Sequence, residues 1–322
     1  MTAAPLSLKL GLSSVPVTRA LFDGSVRSET IELHVQSRFG DGLDNTGARH
    51  REIIAGNLDG GELSLSSFIC ARLRGVRLRA LPVFPARRFR HRSMYCAVNS
   101  PLRGAEELAG KKVTVHRYNA TTPVWLKGIL ENEYGVDLES VEWLVAEPDI
   151  GEESMRLPPA GIRIHPIPPP RTREHAIELV ERGEIDAALE PYQSLASNPK
   201  LRPLISNYRE AEAGYFRRTG AIPVVHTVVL REEIVEAHPW LPERLLDVFR
   251  RAQDASDSYR SENERAEADW ERKIMGEPFR YSLKKGCARR SVELLIEYQA
   301  QQGIIDRPPK LAELFFPEVM DL

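Results

Sequence analysis

The chain has 322 residues, 42% of them hydrophobic and 28% charged, with 44 basic against 46 acidic side chains and a net charge of −2. That apolar content can bury a sizeable core, and the length exceeds what one domain commonly uses, so two lobes are expected. The balanced charge argues against nucleic acid as the main partner, and no apolar run is long enough to span a bilayer.

The first ten residues lack a basic segment followed by an unbroken apolar stretch and read directly as a first strand, which predicts a cytoplasmic protein. Residues 6 to 12 alternate as that strand, and Ser13-Ser14-Val15-Pro16 reads as a cap with proline in the first turn of a helix carrying Arg19. Thr46 to Ala55 is helix-like and stops at Gly56; Glu62 to Leu65 is a short strand entering a helix at Ser66-Ser67. Cys70, Cys96 and Cys287 lie far apart with no Cys-x-x-Cys pair, so neither a disulfide framework nor a zinc site is signalled.

Leu108 to Val115 is a turn followed by a strand, and Pro123 to Tyr134 is a helix closed by Gly135. Leu157 to Pro170 holds six prolines and reads as a surface excursion. The helix Arg173 to Arg182 stops at Gly183, and Ile185 to Glu190 is a buried strand. Gly56-Asn-Leu-Asp59 and Gly183-Glu-Ile-Asp186 therefore occupy equivalent places in two similar halves. Residues 219 to 231 form an apolar, β-branched strand, and helices follow over Trp240 to Ser258 and Cys287 to Gln302. The charged stretch Arg260 to Lys273 reads as a solvated helix face. Crossings near 95 to 100 and 219 to 226 predict a hinge and a ligand cleft. They divide an α/β chain into a discontinuous lobe I, residues 1–97 and 224–322, and a lobe II, residues 98–223.

Open α/β sheets bind ligands beyond the carboxyl ends of their strands, and the unpaired N–H groups at a helix start attract anions. This selects Arg19, Glu62, Ser64, Ser66 and Ser67 in the first lobe, and His116, Arg117, Tyr118, Asn119, Thr121, Thr122 and Glu190 in the second. Hydroxyls at helix starts also serve as plain caps, and the paired arrangement is what favours a ligand. Arg72 to Arg92 holds eight arginines, of which Arg90 or Arg88 suits a carboxylate through its planar fork. His226, in an apolar strand, is either a hydrogen-bonded core residue or a proton carrier, with His91 and His116 as rivals. No His-x-His, His-Glu-x-x-His or Cys/His cluster supports a metal.

Across these segments the chain resembles the 4,5-dihydroxyphthalate decarboxylases, which look like intracellular relatives of the type II periplasmic solute-binding proteins. The likeness covers nearly the whole length. It rests on Thr18 to Gly24, Glu62 to Phe68, Leu81 to His91, Val124 to Glu131, Tyr215 to Gly220 and Ile222 to Val229. In place of a Pro-Glu-Tyr-type loop the chain has His116-Arg117-Tyr118-Asn119, exchanging an acid for two groups that can be cationic.

The resemblance implies a two-lobed, periplasmic-binding-protein-like type II fold and a cofactor-independent decarboxylase of a hydroxylated aromatic carboxylic acid, 4,5-dihydroxyphthalate or a close analogue. His226, Glu62 and His116 would move protons. Arg19, Ser64, Ser66, Ser67, Arg90, His91, Tyr118, Asn119, Thr121, Thr122 and Glu190 would hold the substrate. The expected partner is a small aromatic carboxylate, without metal, nucleic acid or membrane, and self-association is left open. The competing class is an anion-binding protein without chemistry, a solute receptor or sensor. A thiamin-type pyrimidine-precursor synthase is disfavoured by the lack of a cysteine-rich motif.

Overall fold

The computed structural model describes residues 4–39, 46–146, 161–190 and 193–322. In chain order it runs β1 (Leu6–Gly11), α1 (Arg19–Phe22), β2 (Ile31–Gln36), α2 (Thr46–Ala55), β3 (Gly60–Ser64), α3 (Leu65–Leu73) and β4 (Leu78–Leu81). Next come β5 (Met94–Ala97), β6 (Lys112–Val115), α4 (Thr121–Tyr134), β7 (Glu142–Val145), β8 (Arg163–Pro166), α5 (Arg173–Glu181), β9 (Ala187–Leu189), β10 (Leu201–Pro203) and α6 (Tyr208–Thr219). The chain ends with β11 (His226–Arg231), α7 (Glu232–Ala237), α8 (Leu241–Asp254), α9 (Glu262–Met275), α10 (Cys287–Gln301) and α11 (Leu311–Leu314).

Two compact units emerge. One comprises the chain up to Arg87 with Val224–Glu293 and Pro309–Leu322; the other comprises Arg88–Pro223 and Leu294–Pro308. The first is built on a sheet of order β2-β1-β3-β11-β4, the second on one of order β10-β5-β9-β6-β7-β8. In each, three neighbouring strands run parallel, β2-β1-β3 and β7-β6-β9, and a strand from elsewhere in the chain joins antiparallel, β11 beside β3 and β5 beside β9. The two sheets thus share one plan, to which the second adds β8.

The repeat seen in the sequence has a structural cause. Gly56 and Gly183 both take positive φ, +85° and +73°, ending α2 and α5 in a conformation that side chains with a Cβ resist. Three residues on, Asp59 receives the Lys9 N–H on its carboxylate at 2.6 Å and gives its own N–H to the Lys9 carbonyl at 3.0 Å. Asp186 makes the same reciprocal pair with Lys112, at 2.9 Å and 2.9 Å. Each aspartate fixes where β3 or β9 begins beside its parallel neighbour.

Several elements differ from the sequence expectation. Residues 163–166 of the proline-rich segment form the edge strand β8, because an edge strand needs ladder bonds on one side only; residues 157–160 lie outside the described residues. The apolar run 219–231 is a strand only from His226, since Gly220 caps α6 and Val224 makes a single bridge to Arg87. The helix carrying Arg19 is a single turn with Thr18 at its cap, and α3 starts at Leu65, leaving Ser66 and Ser67 inside its first turn. The second unit's core gathers Tyr95, Leu144, Leu179, Val180, Ile185 and Ala188. Leu8, Leu10, Ile53, Phe68, Leu245 and Phe249 are fully buried in the first.

Candidate functional site

In the first unit the antiparallel register sets Ser64 opposite His226 and Glu62 opposite Val228. Alternate residues share a face, so Glu62 and His226 are diagonal neighbours on one side of the sheet. His226 Nδ1 lies 2.5 Å from Glu62 Oε1. The other carboxylate oxygen accepts the Ser13 N–H at 2.8 Å and the Ser13 hydroxyl. Thr18 folds the loop that presents Ser13: its Oγ1 lies 2.6 Å from the Ser13 carbonyl oxygen and accepts the Val15 N–H at 3.1 Å. Arg19 is exposed and donates to the Ser14 hydroxyl at 2.9 Å.

Glu62 is only 1% exposed and sits in a strand whose five residues are all buried. Burial is the strongest influence and favours the protonated acid. The bond and charge of His226, the charge of Arg49 and the Ser13 hydroxyl together outweigh it, holding the carboxyl well below the usual carboxylate range. With Nδ1 committed to this carboxylate, Nε2 is the His226 nitrogen that can give or take a proton. His226 keeps 16% of its side chain exposed.

Ser64 ends β3 without a capping bond from its side chain, so the plain cap explanation fails for it. Its hydroxyl accepts from Ser67 at 3.3 Å, its N–H donates to His50 Nε2 at 3.3 Å, and Ser66 is wholly buried. Arg49 and His50 were not singled out in the sequence, and Ser13 was read only as part of a helix cap. The available signal was periodicity: Arg49 and Ile53 are four apart on α2 and both buried, which puts a charged residue on the apolar face.

In the second unit Val115 pairs with Leu189, so His116 and Glu190 follow at adjacent strand ends. His116 Nδ1 is 3.7 Å from Glu190 Oε2, too far for a hydrogen bond, and both residues are buried. Burial above all, then the charges of Arg173, Arg117 and Arg90, hold the imidazole well below its ordinary value. Thr121 and Thr122 open α4 and are buried, Asn119 is half-buried, and the cap position belongs to Ala120.

Tyr118 and His91 stand apart from this group. Tyr118 meets Trp143 edge-on at 5.8 Å, with Lys127 Nζ 3.1 Å from its ring centre and 3.1 Å from its carbonyl. His91 packs against Tyr215 at 5.3 Å and Tyr134 at 6.4 Å, and Tyr134 lies at the opposite end of α4 from Thr121. Burial, followed by the Arg218 charge, pushes His91 down to about 4. Among the described residues no group of three or more His, Cys, Asp or Glu could hold a metal ion, and no helix is long and apolar enough to cross a membrane.

No protein-family model matches the chain. The 4,5-dihydroxyphthalate decarboxylase of Comamonas testosteroni is 27% identical over 333 aligned residues, covering 98% of each protein. The protein of the same name from Pseudomonas putida is 27% identical over 222 residues, 66% of this chain and 82% of the relative. In structure, the periplasmic aliphatic sulphonate binding protein SsuA of Escherichia coli aligns with a TM-score of 0.57 at 14% identity, covering 97% of this chain and 92% of that one. The chain is therefore a distant relative of proteins named 4,5-dihydroxyphthalate decarboxylase, built on the type II periplasmic-binding-protein fold.

Proposed function

We propose that the protein is a decarboxylase of a hydroxylated aromatic dicarboxylic acid, 4,5-dihydroxyphthalate or a close analogue, that works without a cofactor. The observation that carries this reading is the Glu62–His226 pair, a proton carrier backed by a buried carboxylate in the middle of β3. Similarity to two named decarboxylases, one of them matched over nearly its full length, supports it.

In the proposed reaction each carboxyl of 4,5-dihydroxyphthalate sits para to a ring hydroxyl. Electron density from that hydroxyl reaches the carbon bearing the carboxylate, which takes a proton from His226 Nε2. The bond to the carboxylate then breaks, carbon dioxide leaves, and the electron pair of that bond restores the aromatic ring. Glu62 stabilises the imidazolium that His226 must be before transfer and orients it through Nδ1. His116, held unprotonated by burial and by Arg173, Arg117 and Arg90, can accept a hydrogen bond and is not placed to act as the acid. In the first unit Arg19 and the α3 start, Ser66-Ser67, would hold a carboxylate; in the second, Arg90 and the α4 start, Thr121-Thr122, are the anion-binding candidates.

The test is release of carbon dioxide and 3,4-dihydroxybenzoate from 4,5-dihydroxyphthalate by purified protein treated with a chelator. His226→Ala should abolish turnover while ligand affinity stays within about tenfold, roughly 1.4 kcal/mol. Tight binding with the compound recovered intact would refute the activity and leave a non-catalytic anion-binding protein.

A further inference from the structure

The residues next to the Glu62–His226 pair include two that no comparison assigns. Arg49 and His50 are consecutive in α2, and both are almost wholly buried, at 1% and 3% exposure. A guanidinium taken out of water is tolerated only with compensating charge. Its stem crosses the end of β1: a Cβ placed on Gly11 would fall 3.0 Å from Arg49 Cγ and 2.9 Å from Leu58, so glycine leaves the passage. Gly11 pairs in register with Gly61, the residue before Glu62, and Ser13, two residues further, already binds the Glu62 carboxylate.

His50 reaches the same pair through His226. The Nε2 of His50 accepts the N–H of Ser64, the residue directly opposite His226 in the ladder. The two imidazoles meet perpendicular, with centres 5.6 Å apart at 80°. Because Nε2 is occupied as an acceptor, the ring is anchored to the backbone and cannot donate a proton from that atom.

We propose that Arg49 and His50 position the Glu62–His226 pair, Arg49 as the buried countercharge of the carboxylate and His50 as the wall that fixes the His226 ring. The inference rests on the proton-transfer role given to that pair above. The groups facing Glu62 are His226 from β11, Ser13 from the loop after β1, Arg49 from α2 and, within electrostatic reach, the buried phenol of Tyr281. Arg49 differs from the others in supplying a permanent positive charge.

The experiment is an NMR titration of the carboxyl carbons in glutamate-labelled protein, together with ring-nitrogen spectra in histidine-labelled protein. Arg49→Met should move the Glu62 titration upward by about one pH unit or more, and Arg49→Lys should restore most of it. Gly11→Ala, which crowds Arg49 without removing any site side chain, should shift it in the same direction. The wild type should show a protected Nδ1–H signal for His226, and His50→Ala should abolish it. In turnover, Arg49→Met should lower kcat more than tenfold with KM within about twofold, and its acid limb should move with the Glu62 titration.

An unchanged Glu62 titration in Arg49→Met together with an unchanged His226 signal in His50→Ala would overturn the proposal. So would a loss of thermal stability without either spectral change, which is what a merely structural role predicts. The spectra require no turnover, so a wild type that fails to decarboxylate would refute the activity while the positioning is still measured.

Discussion

A single carboxylate in a fully buried strand breaks the local rule that charges stay in water, and Glu62 tolerates that position through three partners on two oxygens. Glu62→Gln keeps the shape and removes the charge, so kcat should fall by about 10² to 10⁴-fold while the fold persists, as steady-state kinetics alongside circular dichroism would show. His91 presents the opposite case, a buried imidazole kept neutral with its folded-state pKa below the unfolded one. The native state then binds fewer protons than the unfolded chain. Stability is lost as pH falls below about 6.5, at up to roughly 1.4 kcal/mol per unit until the folded value near 4 is reached. His91→Leu, similar in volume, should flatten that part of the acid profile in denaturant titrations at pH 7, 6 and 5. Sequence made Ser64, His116 and Glu190 legible because each lies at or just beyond a strand's carboxyl end, and Glu62 because it is a charge in a short strand that leads into a helix. It did not separate His91 from them, since two neighbouring residues, Arg90 and His91, can serve different surroundings.

At the scale of elements, the paired aspartates are the clearest link from sequence to register. Asp59 and Asp186 each hold the first bonds of a parallel pair, and a charge-assisted bond to a backbone N–H at a partly exposed place contributes about 1 kcal/mol. Asp59→Asn and Asp186→Asn should each cost roughly that amount, and a large difference between them in urea melts would refute their equivalence. The helix stops at Gly56, Gly183 and Gly135 are local chemistry, which is why the bounds of α2, α5 and α4 could be read within a residue or two, whereas the helix read to Ser258 ends at Asp254. Edge strand β8 escaped notice because prolines flank it, and its pairing to β7 is a fact of the sheet rather than of the segment.

At the scale of the whole molecule, the two units carry different acid-sensitive groups. The second holds His91 and His116, both neutral when folded; the first holds Glu62, ionised when folded. The histidine contributions are lost as pH falls from about 6.5, whereas the Glu62 contribution is complete above about 4.5 and is lost only below it. Hydrogen exchange followed from pH 7 to pH 4 should therefore show β6 and β9 losing protection at higher pH than β3 and β11, and the reverse order would contradict the assigned charge states. The sequence by itself determined the principal helices and several of the parallel strands, the repeated Gly-x-x-Asp stops, the α/β class and most of the polar residues that follow strands, because periodicity, caps and turns act over a few residues. Only the tertiary structure decided that β11 enters antiparallel beside β3, joining Glu62 to His226 across 164 positions, and that α2 brings Arg49 and His50 to the same place. Register and electrostatic environment depend on distances in space, and no local pattern encodes them.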